Sequence, residues 1–299
     1  MSVVVCGNTV FDILARPVER VQWGATTVVE NVEQQLGGNA GSTAYTLAKL
    51  GIPVSIATLV GRDPAGATVL GHLEAVGVDL SLVQYVDAPT SVAISLIRGN
   101  GDRALLYQLG AASGDFRWFP FPADATHFHL AAVYRMRYLR TAAPDFLRRA
   151  REAGLRTSLD TQWDTQGEWI KVLAPSLPFA DYTLMNEDEA RLLTGFADPA
   201  NAARALRDLG AGHIVIKLGS RGCWADGTHI PGHTVNAIDT TGAGDCFSGG
   251  FIAAVERGLS TEGAARFANA VGALAVGKLG ATAGVLNWES TMQFLALLP

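Results

Sequence analysis

Short apolar runs of strand character alternate along most of this 299-residue chain with longer segments of helical character. Val3 to Cys6, Thr126 to Val133, Asp181 to Met185 and His213 to Leu218 are runs of this kind. Strands that are separated by helices pair in parallel, because the chain needs a crossover of helical length to return to the same edge of the sheet. The alternation therefore predicts a three-layer α/β/α fold with a mainly parallel sheet.

Three further β-like segments fall outside this alternation. They are Val28 to Leu36, Ser91 to Arg98 and Arg103 to Leu109, and the last two are separated by the turn-forming residues Gly99 to Asp102. Such a turn between two apolar runs is typical of a β-hairpin. The residues alone are compatible with an ordinary edge hairpin or with a second, smaller sheet.

Composition excludes several classes of protein. The net charge of −5 is spread without blocks of like sign, so nothing indicates a protein that binds nucleic acid or a membrane surface. No basic leader and no apolar stretch of about 18 residues is present, so we expect a cytoplasmic protein. Cys6, Cys223 and Cys246 follow no spacing motif, which argues against disulfides and a zinc site. Neither a P-loop nor a dinucleotide-binding glycine motif occurs.

The segment from Asp239 to Asp245 predicts a site for a phosphoryl group. It lies between a strand-like run, His233 to Ile238, and an amphipathic run that starts at Cys246. The small residues Gly242, Ala243 and Gly244 would allow backbone N–H groups at the start of a helix to face an anion. Asp245 could then be the general base that deprotonates an attacking hydroxyl, or it could simply cap the helix.

Asp239 to Asp245 resembles the C-terminal signature of the ribokinase-like (PfkB) family of carbohydrate kinases, and Gly37 to Ala40 resembles its N-terminal Gly-Gly-Asn signature. The resemblance extends from Val3 to Trp288. It implies one ATP-dependent kinase domain over residues 1–299, which transfers a phosphoryl group to a small sugar or nucleoside. It also implies a small β-sheet lid from segments of about 12–36 and 88–110, through which two subunits would form a homodimer.

By the same resemblance, the acceptor would be held by polar groups and by glycines that let it approach the backbone. The expected residues are Asn8, Asp12, Gly37, Gly38 and Asn39. A carboxylate suits this task because it accepts hydrogen bonds from two hydroxyl groups at once. Asn39 could equally cap the helix that follows it.

Arg103 and Arg135 are candidates for contact with a negatively charged acceptor. Arg135 follows the end of a strand within a basic cluster, and Arg103 begins a β-like segment. Most such clusters are solvated surfaces, so both interpretations stay open. If either arginine faces the pocket, a sugar acid such as a 2-keto-3-deoxy acid becomes an alternative acceptor.

The resemblance also places the nucleotide, a magnesium ion and a monovalent cation. The nucleotide would contact Asn186, Lys217, Gly219, Gly222, Asn269 and Ala281, and Glu189 would act on Mg²⁺, in part through water. A monovalent cation, K⁺ in many relatives, would lie near Asp239, Thr241, Ala275, Lys278, Gly280 and Gly284. The residues alone allow simpler interpretations: Asn186 and Glu189 match a capping box, Gly219 to Gly222 match a hairpin turn, and Asn269 matches a surface position.

One motif departs from the family pattern. Many sugar kinases of this type carry Asp-x-Asn-x-Arg where this chain has Asp160, Gln162 and Asp164, so a hexose acceptor is not implied. A non-catalytic sensor of sugar or nucleotide on the same fold is the alternative outside enzymes. The presence of the base, the anion site and the metal motif together favours a kinase.

Overall fold

The computed structural model describes residues 1–100 and 102–297. Its strands are β1 (Ser2–Cys6), β2 (Val10–Arg16), β3 (Asn31–Gly37), β4 (Val54–Ala57), β5 (Leu59–Gly61), β6 (Gln84–Val86), β7 (Val92–Ile97), β8 (Arg103–Gln108), β9 (Ala125–Leu130), β10 (Arg156–Asp160), β11 (Tyr182–Asn186), β12 (His213–Lys217), β13 (Cys223–Ala225) and β14 (Thr228–Ile230). Its helices are α1 (Asn39–Lys49), α2 (Pro64–Glu74), α3 (Leu139–Glu152), α4 (Ile170–Leu173), α5 (Glu187–Thr194), α6 (Pro199–Asp208), α7 (Ala243–Glu256), α8 (Thr261–Ala275) and α9 (Trp288–Ala296).

The central layer is an eight-stranded sheet in the order β14-β13-β12-β11-β10-β9-β1-β4. The six strands from β12 to β4 in this order are parallel, and β13 and β14 add antiparallel strands at one edge. The C-terminal ends of the parallel strands lie along one side of the sheet. This side is called the ligand-binding edge below, because open α/β sheets bind their ligands beside the C-terminal ends of their strands. The predicted mainly parallel sheet is therefore present.

Helices cover both faces of this sheet. Buried side chains of α1, α2, α7 and α8 form one hydrophobic core with one face, and those of α3, α5 and α6 form a second core with the other. Helix α7 packs closely between α1 and α8, since a Cβ atom at Gly250 would lie 2.8 Å from the Val271 side chain. Among the described residues, no helix combines the length and the hydropathy needed to cross a membrane.

A separate four-stranded sheet has the order β3-β2-β7-β8. Strands β2 and β3 are antiparallel, β2 and β7 are parallel, and β7 and β8 form the predicted hairpin. Gly101 of the hairpin turn lies outside the described residues. Strand β3 leads through Gly37 and Gly38 directly into α1, so this small sheet adjoins the ligand-binding edge of the central sheet.

The predicted strand from His233 to Ile238 is wrong. These residues have no regular secondary structure, and the N–H groups of Ile238 and Asp239 donate to the Val276 carbonyl at 2.8 and 3.2 Å. The Ile238 side chain is 55% exposed, so its apolar character does not reflect a place in a sheet. The β propensity of this segment is overridden by its contact with the end of α8.

Candidate active site

Helix α7 begins at the ligand-binding edge with an uncapped N-terminus. Gly242 precedes the helix with a φ of 69°, and no side chain caps the first turn. A side chain at this position would be strained, and its Cβ atom would lie 2.6 Å from that of Ala281. Gly244 is exposed and has space around its Cα atom. The first turn therefore leaves N–H groups available to an anion.

Asp245 lies in this first turn and is held by a residue from the other sequence motif. Asn39 Nδ2 donates to Asp245 Oδ1 at 2.9 Å, although the two residues are 206 positions apart. Neither side chain caps its own helix, so the capping interpretations of Asp245 and Asn39 are wrong. Burial and the charge of Asp160 raise the pKa of Asp245 to about 6, against the opposing effects of Lys217 and the Asn39 hydrogen bond.

Asp12 lies over Gly37 at the junction of the small sheet and α1. A Cβ atom at Gly37 would lie only 2.1 Å from Asp12 Oδ2, so the carboxylate occupies the space of the missing side chain. Burial, Asp245 and Asp239 raise the pKa of Asp12 to about 7, and Arg103 opposes them. Two carboxylates and one guanidinium therefore act on the Asp12 carboxyl group.

Asn8 connects the acceptor residues to the small sheet. Its side chain is buried, and Nδ2 donates to the Tyr107 hydroxyl at 3.2 Å, whereas Oδ1 has no hydrogen-bond partner in the part of the chain that the structure describes. Gly38, with a φ of 86°, lets the chain pass against Asn8, since a Cβ atom there would lie 2.5 Å from the Asn8 carbonyl oxygen. The Arg135 guanidinium lies over the Tyr107 ring at 4.6 Å.

Tyr107 was missed by the sequence analysis, although a signal existed. Arg103 and Tyr107 are four residues apart on β8, and alternate residues of a strand share a face. A candidate at Arg103 therefore also pointed to Tyr107. Arg135 is half-buried and forms no ion pair within residues 1–100 and 102–297.

Asp239 organises the loop before α7. Its Oδ1 atom accepts bonds from the N–H and hydroxyl groups of Thr241 at 2.9 and 2.6 Å, and its Oδ2 atom accepts from the Gly280 N–H at 2.9 Å. Arg103 from the small sheet donates to the Thr241 hydroxyl. Ala275 is buried at the end of α8 and Lys278 is exposed. The described residues contain no group of three or more His, Cys, Asp or Glu side chains placed to hold a metal ion.

A cavity of about 510 Å³ opens beside the start of α7. Its lining includes five of the residues predicted to contact a nucleotide, namely Asn186, Lys217, Gly219, Gly222 and Asn269, together with Gly244. Ala281 is not part of this lining and packs behind Gly242. Asn269 is buried, not a surface residue, because its Nδ2 atom donates to the carbonyl groups of Ile230 and Pro231 at 3.2 Å each.

Asn186 and Glu189 form the capping box that the residues alone suggested. Asn186 Oδ1 accepts from the Glu189 N–H at 2.8 Å, and Glu189 Oε2 accepts from the Asn186 N–H at 3.1 Å. The same Oε2 atom accepts from the Thr161 hydroxyl at 2.8 Å, which leaves Oε1 without a donor in the described part of the chain. Burial and Asp160 raise the pKa of Glu189 to about 7.

Of the two residues after β10 that depart from the family pattern, Gln162 and Asp164, the second has a structural role. Asp164 pairs with Arg140 at 2.8 Å and accepts the N–H groups of Gln166, Glu168 and Trp169. It therefore stabilises its own loop. Gln162 is buried, and within the described residues neither Oε1 nor Nε2 of its side-chain amide has a hydrogen-bond partner.

Comparison with known proteins identifies the family. A model described as "pfkB family carbohydrate kinase" matches residues 1–288. Ribokinase of Haemophilus influenzae is 29% identical and 2-dehydro-3-deoxygluconokinase of Bacillus subtilis is 28% identical; the matches cover 91% and 92% of this chain and 91% of each relative. An Escherichia coli structure named ribokinase II, solved with ATP and Mg²⁺, shares the fold, with a TM-score of 0.85, 23% identity and 99% coverage of both chains. As Asp239 to Asp245 indicated, this chain belongs to the pfkB family of carbohydrate kinases.

Proposed function

We propose that this protein transfers the γ-phosphoryl group of ATP to a hydroxyl group of a small sugar or nucleoside, with Asp245 as the general base. The observation that carries the proposal is the position of Asp245. It lies in the first turn of an uncapped helix, between a cavity lined by the predicted nucleotide residues and the acceptor residue Asn39. A carboxylate with a pKa of about 6 is mostly unprotonated at neutral pH yet basic enough to accept a proton from a hydroxyl group.

The acceptor binds on the small-sheet side of Asp245. Asp12 and Asn8 each have oxygen atoms suited to sugar hydroxyl groups, and Asn8 Oδ1 is a buried acceptor that still lacks a donor. Gly37 makes room for the Asp12 carboxylate, and Gly38 lets the chain pass against Asn8, so the two glycines position these acceptor groups. The amide of Asn39 fixes one oxygen of Asp245, so the other oxygen is directed by that bond toward the acceptor.

The triphosphate binds along the first turn of α7. Gly242, Ala243 and Gly244 would offer their N–H groups to the transferred phosphoryl group, and Lys217 would add a positive charge from β12. The donor set fits magnesium, because Glu189 Oε1 has no protein donor and Mg²⁺ accepts few carboxylates while keeping bound water. Bound Mg²⁺ would neutralise phosphate charge, and Asn186 and Glu189 would hold it through water. The ATP and Mg²⁺ of the E. coli structure support this assignment.

In this proposal residues 1–299 form one catalytic unit, and the segments of about 12–36 and 88–110 are its lid. Closure of the small sheet over the acceptor would exclude water that otherwise hydrolyses ATP. The same sheet would pair two subunits into a homodimer. A monovalent cation near Asp239, Thr241, Ala275 and Gly280 would support the loop before α7.

A second acceptor class is favoured by Arg135. This arginine is half-buried, stacks on Tyr107 and has no anionic partner among the described residues. Tyr107 in turn contacts Asn8, so the guanidinium borders the acceptor residues. A sugar acid would supply the missing negative charge, and the B. subtilis relative is a 2-dehydro-3-deoxygluconokinase.

The proposal is tested by ADP release from Mg·ATP in the presence of pentoses, hexoses, nucleosides and sugar acids, each with and without K⁺. Stimulation by one class identifies the acceptor, and competition between the neutral and acidic forms of one sugar tests Arg135.

Asp245→Asn should then lower kcat by about 10²-fold or more with little change in KM, because the lost interaction belongs to the transition state. An unchanged kcat would remove Asp245 from the chemistry. ATP binding without stimulation by any acceptor would favour a sensor.

A further inference from the structure

The carbonyl group of Gly244, next to Asp245, is held by two side chains from outside the first turn of α7. Lys217 Nζ donates to this oxygen at 3.0 Å, and the Ser248 hydroxyl, which has a single proton to donate, lies 3.0 Å from it. Both donors also contact one carboxylate oxygen, Asp160 Oδ2, which Lys217 Nζ approaches to 2.7 Å. The three side chains and the Gly244 carbonyl therefore form a closed cluster at the end of β10 and β12.

Asp160 is the centre of this cluster and is almost inaccessible, with 2% of its surface exposed. A buried carboxylate costs free energy unless it is paired, and Lys217 supplies the compensating charge. Lysine has three N–H donors, of which two are used by Asp160 and Gly244. The third can face the cavity beside the start of α7, which Lys217 lines.

We propose that Asp160 is a positioning residue for phosphoryl transfer, which acts through Lys217 and Ser248 to fix the first turn of α7 and to aim the ammonium group at the triphosphate. The inference rests on the proposed function. Asp160 does not touch the reacting atoms in this scheme. It positions the N–H groups of the first turn and the Lys217 ammonium group, which contact the triphosphate in this scheme.

The charge of Asp160 also acts on the base. Asp160 on β10 raises the pKa of Asp245 and Lys217 on β12 lowers it, and Asp245 in turn raises the pKa of Asp12 on β2. In Asp160→Asn the negative charge is lost, whereas Lys217 keeps its positive charge. The loss of the Asp160 charge lowers the pKa of Asp245, so the acidic limb of the pH profile of kcat should move to lower pH.

The test compares Asp160→Asn with Ser248→Ala, using the acceptor identified by the ADP-release experiment. Asp160→Asn should lower kcat by about 10-fold or more, because a first turn displaced by an ångström misplaces the phosphoryl group, and its acidic limb should shift. Ser248→Ala keeps the ion pair and should lower kcat less, without a shift of the limb. Calorimetric titration with ATP in the absence of acceptor should show weaker binding to Asp160→Asn only.

Ser176→Ala is the matched control, because Ser176 is also a buried serine, lies away from the site after α4, and has a hydroxyl group without a hydrogen-bond partner among residues 1–100 and 102–297. It should retain the kcat and pH profile of the unmodified protein. If Asp160→Asn keeps both the original kcat and the original acidic limb, the positioning role is wrong, whereas the proposed function depends on Asp245→Asn alone. If Asp160→Asn does not fold, Ser248→Ala decides: a kcat equal to that of Ser176→Ala would overturn the proposal.

Discussion

At the scale of single residues, the proposed acceptor site requires that Gly37 has no side chain, because the Asp12 carboxylate occupies that space. The resemblance of the Gly-Gly-Asn motif to the family signature led to the prediction that Gly37 belongs to the acceptor site. Its physical role became visible only in three dimensions, because Asp12 is 25 positions away in sequence and reaches Gly37 through the pairing of β2 with β3. A position that must be glycine can be predicted from a motif, but the side chain that fills the space beside it, here that of Asp12, cannot.

Gly37→Ala should therefore impair acceptor binding. The new Cβ atom would lie 2.1 Å from Asp12 Oδ2, so the carboxylate must move. We expect KM for the acceptor to rise by about 10-fold, the cost of one lost charge-assisted hydrogen bond, with KM for ATP nearly unchanged. Steady-state kinetics with each substrate varied in turn measures this.

Gly71→Ala in α2 is the control, because its Cβ position lies within 4 Å of no heavy atom of residues 1–100 and 102–297 outside its own helical backbone and chain neighbours. It should leave both KM values unchanged and stabilise the protein by about 0.5–1 kcal/mol, since alanine is the better helix former. Equal effects of the two substitutions on acceptor KM would show that Asp12 does not hold the acceptor.

At the scale of elements, α7 connects the site to the opposite edge of the central sheet. Its first turn carries Asp245, and its last residue, Glu256, is buried beneath the starts of β9 and β10. Glu256 accepts from Thr126 at 2.6 Å, from His127 at 3.0 Å and from Arg156 at 2.6 Å. Because a carboxylate only accepts, His127 must carry its proton on Nδ1 when it is neutral.

Glu256→Gln should destabilise the fold by about 1–3 kcal/mol at pH 7, since a buried hydrogen-bonded charge is replaced by an amide that cannot satisfy all three donors. Burial would raise the pKa of Glu256, but hydrogen bonds from His127 and Thr126 and the charge of Arg156 outweigh it and lower the pKa to about 2. A lowered pKa contributes stability above the unfolded value of about 4.5, and this is lost as the pH falls toward 2.

Urea unfolding of both proteins between pH 7 and pH 3 measures this prediction. The difference in unfolding free energy should shrink below pH 4.5. Glu152→Gln on α3 is the control, because this exposed carboxylate pairs with Arg148 alone among the described residues and should contribute less than about 1 kcal/mol. A difference that stays constant over this pH range would contradict the ionised state of Glu256.

At the scale of the whole molecule, periodicity was enough to predict the central sheet but not how a second sheet meets it. The alternation of strands and helices predicted the central sheet, whereas the segments outside it allowed an edge hairpin or a small sheet, and the resemblance to the family favoured the small sheet. The contacts that assemble the site join residues far apart, such as Asn39 and Asp245 or Arg103 and Thr241, and no local pattern encodes them. The strand predicted at His233 to Ile238 failed for the same reason, because contact with the end of α8 determines that backbone.

Arg103 links the small sheet to the loop before α7, and this gives the lid hypothesis a direct test. Arg103→Gln removes the guanidinium that reaches Thr241, so the small sheet should close less tightly over the acceptor. We expect the acceptor KM to rise and ATP to be hydrolysed without transfer, because water enters an incompletely closed site. The measurement is the ratio of ADP formed to phosphorylated acceptor, which should exceed one only in Arg103→Gln.

Arg98→Gln is the control on the same hairpin, since Arg98 is exposed and forms no ion pair with the described residues. A ratio of one in both variants would mean that the Arg103 link does not govern closure, and that water is excluded by the acceptor itself.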